Sequence, residues 1–195
     1  MSGFSPRAQK SLDVARSVFQ LLAAHDIDTA VIGSIALAVH GYVRATRDLD
    51  FGVAVFAFDS LQPIAGQLRG RGYEVDVGEP APDDPLGGVV TVSGTDFDAI
   101  QIVNLRAPGG RYEKLAREAI ATAQQEAELG LPVVDLPHLV ALKLVAGSRK
   151  DELDILELLR ANPETPLVTV LEVCAGHRLK TRLERLLETQ DGCRE

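Results

Sequence analysis

The sequence predicts a mixed α/β fold, a mixed sheet with flanking helices followed by a helical C-terminal part. Two observations carry that expectation. Short apolar runs bounded by glycine and aspartate turns gather in the first half of the chain, whereas capped, amphipathic stretches at helical spacing fill the second half. At 195 residues and 46% hydrophobic content the chain is long enough to bury a substantial core. The division falls near residue 135, giving an α/β core over 1–135 and a helical region over 136–195 packed on it.

The elements follow in order. Ser5 as cap and Pro6 at the first helical position open a helix whose apolar face carries Leu12, Ala15, Val18, Phe19 and Leu22 and which ends near His25. Thr29 to Ile32 is a short apolar strand, Gly33 and Ser34 form a turn, and Ile35 to His40 is a short helix closed by Gly41. Asp48 to Phe56 forms the second strand. Asp59 or Ser60 caps a helix ending at Gly70, and Tyr73 to Val77 returns as a strand. The proline- and glycine-rich acidic segment from Gly78 to Gly88 reads as an exposed loop. Strands at Val89 to Val92 and Phe97 to Val103 flank a hairpin-like connection. A helix is expected from Arg111 to about Glu128 and a short strand at Leu131 to Val134. Four helices complete the chain: Pro137 to Ala146, Ser148 to Arg160, Pro163 to Ala175, and His177 to about Thr189.

Composition narrows the function classes. A formal charge of -8 and a pI near 5.0 argue against broad electrostatic adhesion to nucleic acid or to an anionic membrane, so an RNA substrate has to be gripped locally. Cys174 and Cys193 are too few for a disulfide framework or a zinc site, and the four histidines show no ligand-like spacing. The N-terminal stretch has charges scattered through an amphipathic pattern and does not read as a signal peptide, and nothing is long and apolar enough to span a bilayer. The expectation is a cytoplasmic protein in a reducing compartment, without a membrane partner.

The chemistry centres on Asp48 and Asp50. Residues i and i+2 of a strand point the same way, with Cβ atoms roughly 6 to 7 Å apart. Two carboxylates that close repel by about 3 kcal/mol at an effective dielectric near 20, so the pair calls for a cation, an arginine or a shared proton. Asp-x-Asp also occurs at Asp26/Asp28 and Asp96/Asp98, and with 15 aspartates in the chain the spacing alone carries little weight. Only the middle pair opens an apolar run, Phe51, Val53 and Val55, after a short helix that begins at a glycine turn. Arg44 and Arg47, just upstream, pair with these acids at the surface, contact a triphosphate, or order the loop. Backbone N–H groups at Gly33 and Ser34 suit a phosphate, although Ser34 also reads as a plain helix cap. Lys143 lies in an otherwise apolar helical stretch, where a lysine either reaches to water or meets an anion. Ser148 and Asp151 have capping spacing at the next helix start, and Asp154 reads as polar face.

The run Gly33, Ser34, Arg47, Asp48, Asp50 resembles the first signature of the polymerase-β-like nucleotidyltransferase superfamily. The segment Leu136 to Lys143, followed by Gly147-Ser148-Arg149-Lys150-Asp151 and Asp154, resembles a second signature, that of the AbiEii-type nucleotidyltransferase toxins of type IV toxin-antitoxin systems. Together they span roughly residues 30 to 160. The resemblance implies a nucleotidyltransferase-like sheet, Mg²⁺ as cofactor on Asp48 and Asp50, and an NTP as co-substrate. It implies that Gly33, Ser34 and Arg47 contact phosphate, that Lys143 contacts the nucleotide, and that Asp151 lies near the cleft. The reaction implied is transfer of NMP from an NTP to an acceptor hydroxyl, on tRNA or another RNA in a toxin role opposed by an antitoxin protein, or on a small molecule such as an aminoglycoside.

The chain departs from that pattern at the third carboxylate expected on a later strand, where Gln101 stands. Asp98 is the candidate base, although strand alternation puts it on the face opposite Gln101, so a bulge or shifted register has to bring it in. The alternative is a catalytically impaired nucleotide-binding or protein-interaction module of the same fold.

Overall fold

The computed structural model describes residues 5–44, 48–80, 86–106 and 112–191. Arg47 and Cys193 lie outside them. The described residues form a seven-stranded mixed sheet and eight α-helices. The first helix, α1 (Pro6–Ala23), starts as its sequence dictates, with the Ser5 hydroxyl accepting the Ala8 N–H at 3.3 Å. It buries Leu12, Val14, Ala15, Val18, Leu21 and Leu22, and packs on β1 (Thr29–Ile32). Every residue of β1 is buried, and it is an interior strand of the sheet.

From β1 the chain turns at Gly33 into α2 (Gly33–Val39) and then runs back as β2 (Leu49–Val53), antiparallel to β1, with Ile32 opposite Asp50. A 3-10 turn (Phe58–Leu61) leads into α3 (Gln62–Gly70) and the strands β3 (Glu74–Gly78), β4 (Val89–Ser93) and β5 (Ile100–Asn104). β5 lies parallel to β2, with Gln101 opposite Asp50. After α4 (Glu113–Ala121) come β6 (Gln124–Glu126) and β7 (Leu131–Val133), and β7 runs parallel to β1. The resulting order is β3-β4-β5-β2-β1-β7-β6. Four more helices follow: α5 (Leu136–Ala146), α6 (Arg149–Ala161), α7 (Leu167–Gly176) and α8 (Lys180–Asp191). Apolar residues of both halves, among them Phe51, Ile102, Leu139, Leu158 and Val170, belong to one buried core.

Several segments depart from the sequence reading: β2 ends at Val53 rather than Phe56, α7 starts at Leu167 rather than Pro163, and two others change more than a boundary. The expected helix from Arg111 to Glu128 stops at Ala121, where the Thr122 hydroxyl donates to the Glu118 carbonyl at 3.0 Å; Gln124–Glu126 then pair with Leu131–Val133. Those polar residues carry no alternating apolar signal, because their backbone alone makes the strand. Gly130 closes the turn at φ +65°. The strand expected from Phe97 begins at Ile100, because the preceding residues are drawn onto α1. Arg7 donates to Asp98 Oδ1 at 2.6 Å and to the carbonyls of Thr95 and Phe97 at 3.0 and 2.6 Å, while the Ser11 hydroxyl accepts the Asp98 N–H at 2.9 Å.

That strap is a stability element with a measurable size. Replacing Arg7 with alanine should cost about 1 to 2 kcal/mol, since one of its partners is ionised but the guanidinium is half-exposed. The melting temperature should fall by about 2 to 8 °C. Asp98→Ala should cost a similar amount, and the double variant less than the sum, because each loses the same bond.

Candidate active site

The fold brings the acid pair onto the glycine turn. Gly33 adopts φ +64°, a region open to glycine, and a Cβ built there would lie 1.9 Å from Asp50 Oδ2. The carboxylate of Asp50 therefore sits over the Gly33 α-carbon in space that any side chain would fill. The Ser34 backbone N–H donates to Asp50, and the Ser34 hydroxyl donates to the Asp48 carbonyl at 3.1 Å. Ser34 is buried, so both of its donors serve the strand that carries the acids. One turn thus fixes the position of Asp50 and the entry of β2.

Asp50 is partly buried while Asp48 is exposed. Burial, and then repulsion from Asp48, push the Asp50 carboxyl up to about 6, against the pull of Lys143, Arg44 and the Ser34 N–H. A carboxylate whose proton affinity is raised by burial and by a second carboxylate beside it suits a hard divalent cation such as Mg²⁺.

The positive side of the site is built from three elements. Lys143, on α5, is buried and neither reaches to water nor stands free: Nζ donates to Asp151 Oδ1 at 3.0 Å and to Asp154 Oδ2 at 2.7 Å. Asp154, 1% exposed, also accepts from Arg44 Nη1 at 2.8 Å. Arg44 Nε is buried without a hydrogen-bond partner among the described residues. Asp151 does close a capping box with Ser148, whose hydroxyl donates to it at 2.6 Å. Burial works upward on Asp151, but the bonds from Ser148 and Lys143 hold it below the usual carboxylate range.

Gly33, Ser34, Asp48 and Asp50 are thus together, with Lys143 and Arg44 close enough to act on Asp50. Asp98 is not brought into this group. Its carboxylate is taken by Arg7 at 2.6 Å and lies 3.5 Å from the Ser11 hydroxyl, both on α1, and no bulge moves it to the acid face. Gln101 stands in register with Asp50 instead. The sequence reading treated Asp154 as mere polar face; its i+3 spacing from Asp151 was the available signal that both reach one cation.

A carboxyl whose folded value exceeds its unfolded 3.8 binds more protons in the native state. Stability therefore falls as pH rises from about 4 through 6, by on the order of 3 kcal/mol at neutrality. Asp50→Asn should raise the melting temperature of the metal-free protein by several degrees at pH 7.5 and leave it unchanged at pH 4. Millimolar Mg²⁺ should stabilise the wild-type chain at pH 7.5 and not this variant. Lys143→Met should lower stability by about 3 kcal/mol, read by denaturant unfolding, since it strips a buried carboxylate of one of its two cations.

No protein-family model matches the chain, and no curated protein sequence matches it. Solved structures do. The crystal structure of ANT(2")-Ia in complex with adenylyl-2"-tobramycin aligns at TM-score 0.52 and 14% identity, covering 87% of this chain and 97% of that one. The solution structure of the antibiotic-resistance factor ANT(2")-Ia aligns at TM-score 0.54 and 16% identity, covering 95% of this chain and 99% of that one. At these identities the shared property is the fold, a nucleotidyltransferase-like mixed sheet with its flanking helices.

Proposed function

We propose that this chain is a nucleotidyltransferase that moves a nucleoside monophosphate from an NTP to an acceptor hydroxyl, with pyrophosphate leaving. The observation that carries the reading is the Asp50 carboxylate seated on Gly33 beside Asp48, at the start of a central strand. Asp48 and Asp50 would hold Mg²⁺, which supplies neutralisation of phosphate charge where the transition state needs it. The chain's own contribution is positional. Gly33 and Ser34 fix the acids, and Arg44 Nε, without a hydrogen-bond partner among the described residues, offers a donor to an anion. Lys143, held by Asp151 and Asp154, keeps a fixed positive charge near the acids rather than swinging to solvent. Arg47 belongs to the same reading as a phosphate contact.

For the acceptor, a small cationic polyol of the aminoglycoside class fits best. The net charge of -8 attracts such a molecule and repels a polyanion. The chain also aligns over almost its whole length with ANT(2")-Ia, which is seen with adenylyl-2"-tobramycin. An RNA acceptor such as tRNA, with a toxin role and a cognate antitoxin, is the competing assignment drawn from the second sequence signature. Gln101 favours one further reading, a nucleotide-binding module that lacks transfer, since an amide cannot take the acceptor's proton.

Incubation with each labelled NTP, Mg²⁺ and either an aminoglycoside panel or total tRNA separates these readings. Transfer to an aminoglycoside, reduced about 100- to 1,000-fold in Asp48→Ala and Asp50→Ala, is the expected result. Transfer that survives both substitutions overturns the site assignment, labelled tRNA reverses the acceptor, and Mg²⁺-dependent NTP binding without transfer favours the module. Gln101→Asp should raise the transfer rate by about 100-fold if an absent base limits the reaction. An unchanged rate would show that proton removal is not limiting.

A further inference from the structure

We propose that Glu118, His138 and His177 form a binding site for a zinc-class transition-metal ion, separate from the acid pair. One potential ligand atom from each residue lies within 4.8 Å of the other two. The three come from different elements: Glu118 from α4, His138 from the first turn of α5, and His177 from the C-terminal cap of α7. The site is not part of the Asp50 constellation. His138 and Lys143 share α5, but five residues of helix separate them by about 7.5 Å along the axis and about 140° around it.

The surroundings are those of a metal site. His138 Nδ1 lies 2.8 and 3.0 Å from the two Asp135 oxygens and 3.2 Å from the Thr122 hydroxyl. Nε2 is then the nitrogen left for a ligand role, and a carboxylate behind the ring is the usual way a metal-binding histidine is oriented. His177 Nε2 lies 2.8 Å from Glu118 Oε2, a contact that a cation would replace. Both rings are nearly buried, whereas the Glu118 side chain is 42% exposed and can adjust.

The donor chemistry selects the metal. Two imidazoles and a carboxylate suit Zn²⁺, Co²⁺ or Ni²⁺ and suit Mg²⁺ poorly. Tetrahedral bonds of about 2.0 to 2.1 Å put neighbouring ligand atoms about 3.3 Å apart, so the group has to close by up to about 1.5 Å at its widest. Lys114, 3.5 Å from Glu118 Oε1, has to move aside, and its side chain is 71% exposed. A hollow of about 260 Å³ lined by Tyr112, Lys114, Leu115, Gly176, His177 and Arg178 gives solvent an approach to His177. The bound ion would tie α4, α5 and α7 together.

Titration of the chelator-stripped full chain with Zn²⁺ against a chromophoric chelator, and with Co²⁺ by visible absorption, tests the site. The expected result is one ion per chain, tetrahedral Co²⁺ bands, and a melting temperature raised by several degrees at saturation. Glu118→Gln, at an exposed side chain that leaves the fold intact, and His177→Ala should each weaken Zn²⁺ binding at least tenfold, and Asp135→Asn by about 10- to 100-fold. Asp48→Asn/Asp50→Asn should leave Zn²⁺ affinity unchanged. Binding that survives Glu118→Gln and His177→Ala, binding lost with the acid pair, or no binding at 100 µM Zn²⁺ would each overturn the proposal and leave only two internal hydrogen-bonded pairs.

Discussion

The candidate active site depends on one close approach, the carboxylate of Asp50 against the bare α-carbon of Gly33. The contact joins β1, α2 and β2, because the residue that ends the first strand's turn is also the residue over which the second strand's acid packs. The positive φ at Gly33 and the missing side chain answer two separate demands. The first lets the chain turn sharply out of β1, and the second leaves the space that the acid fills. Ser34 completes the arrangement from both its backbone and its side chain.

That placement carries an energetic cost which the surroundings only partly offset. A half-buried carboxylate beside a second one is unfavourable as an anion, and the Lys143 and Arg44 charges that would relieve it are themselves engaged by Asp154. The molecule thus keeps an under-compensated negative pocket next to a balanced cluster. Such an imbalance supports the proposal that Asp48 and Asp50 hold an external cation, since a chain selected for stability alone would remove it.

Much of this was legible in the sequence. Gly33, Ser34, Asp48 and Asp50 announced themselves through a glycine turn, a strand period of two and an apolar continuation, all local signals. The position of Gln101 was legible too, since alternation along β5 fixes its face. The role of Asp98 was not, because the side chain that claims it, Arg7, lies 91 residues away. Asp154 was underrated for the same reason: its partner Arg44 is 110 residues distant. The histidines showed no ligand spacing because His138 and His177 meet through helix packing rather than along one helix face. The hairpin at Gln124–Glu126 is the one missed strand, and polar residues in a backbone-driven pair leave no hydrophobic trace.

Asp154 is the point at which the C-terminal helices reach the acids electrically. Because one carboxylate on α6 holds both Lys143 and Arg44, the two cations are tethered to a common post rather than placed independently. A rotation or recoil of α6 would draw both away from Asp50 in the same motion, and the proton affinity of that acid would climb further. Protonation of a single strand residue thereby becomes a gauge of how tightly the helical layer is seated against the sheet.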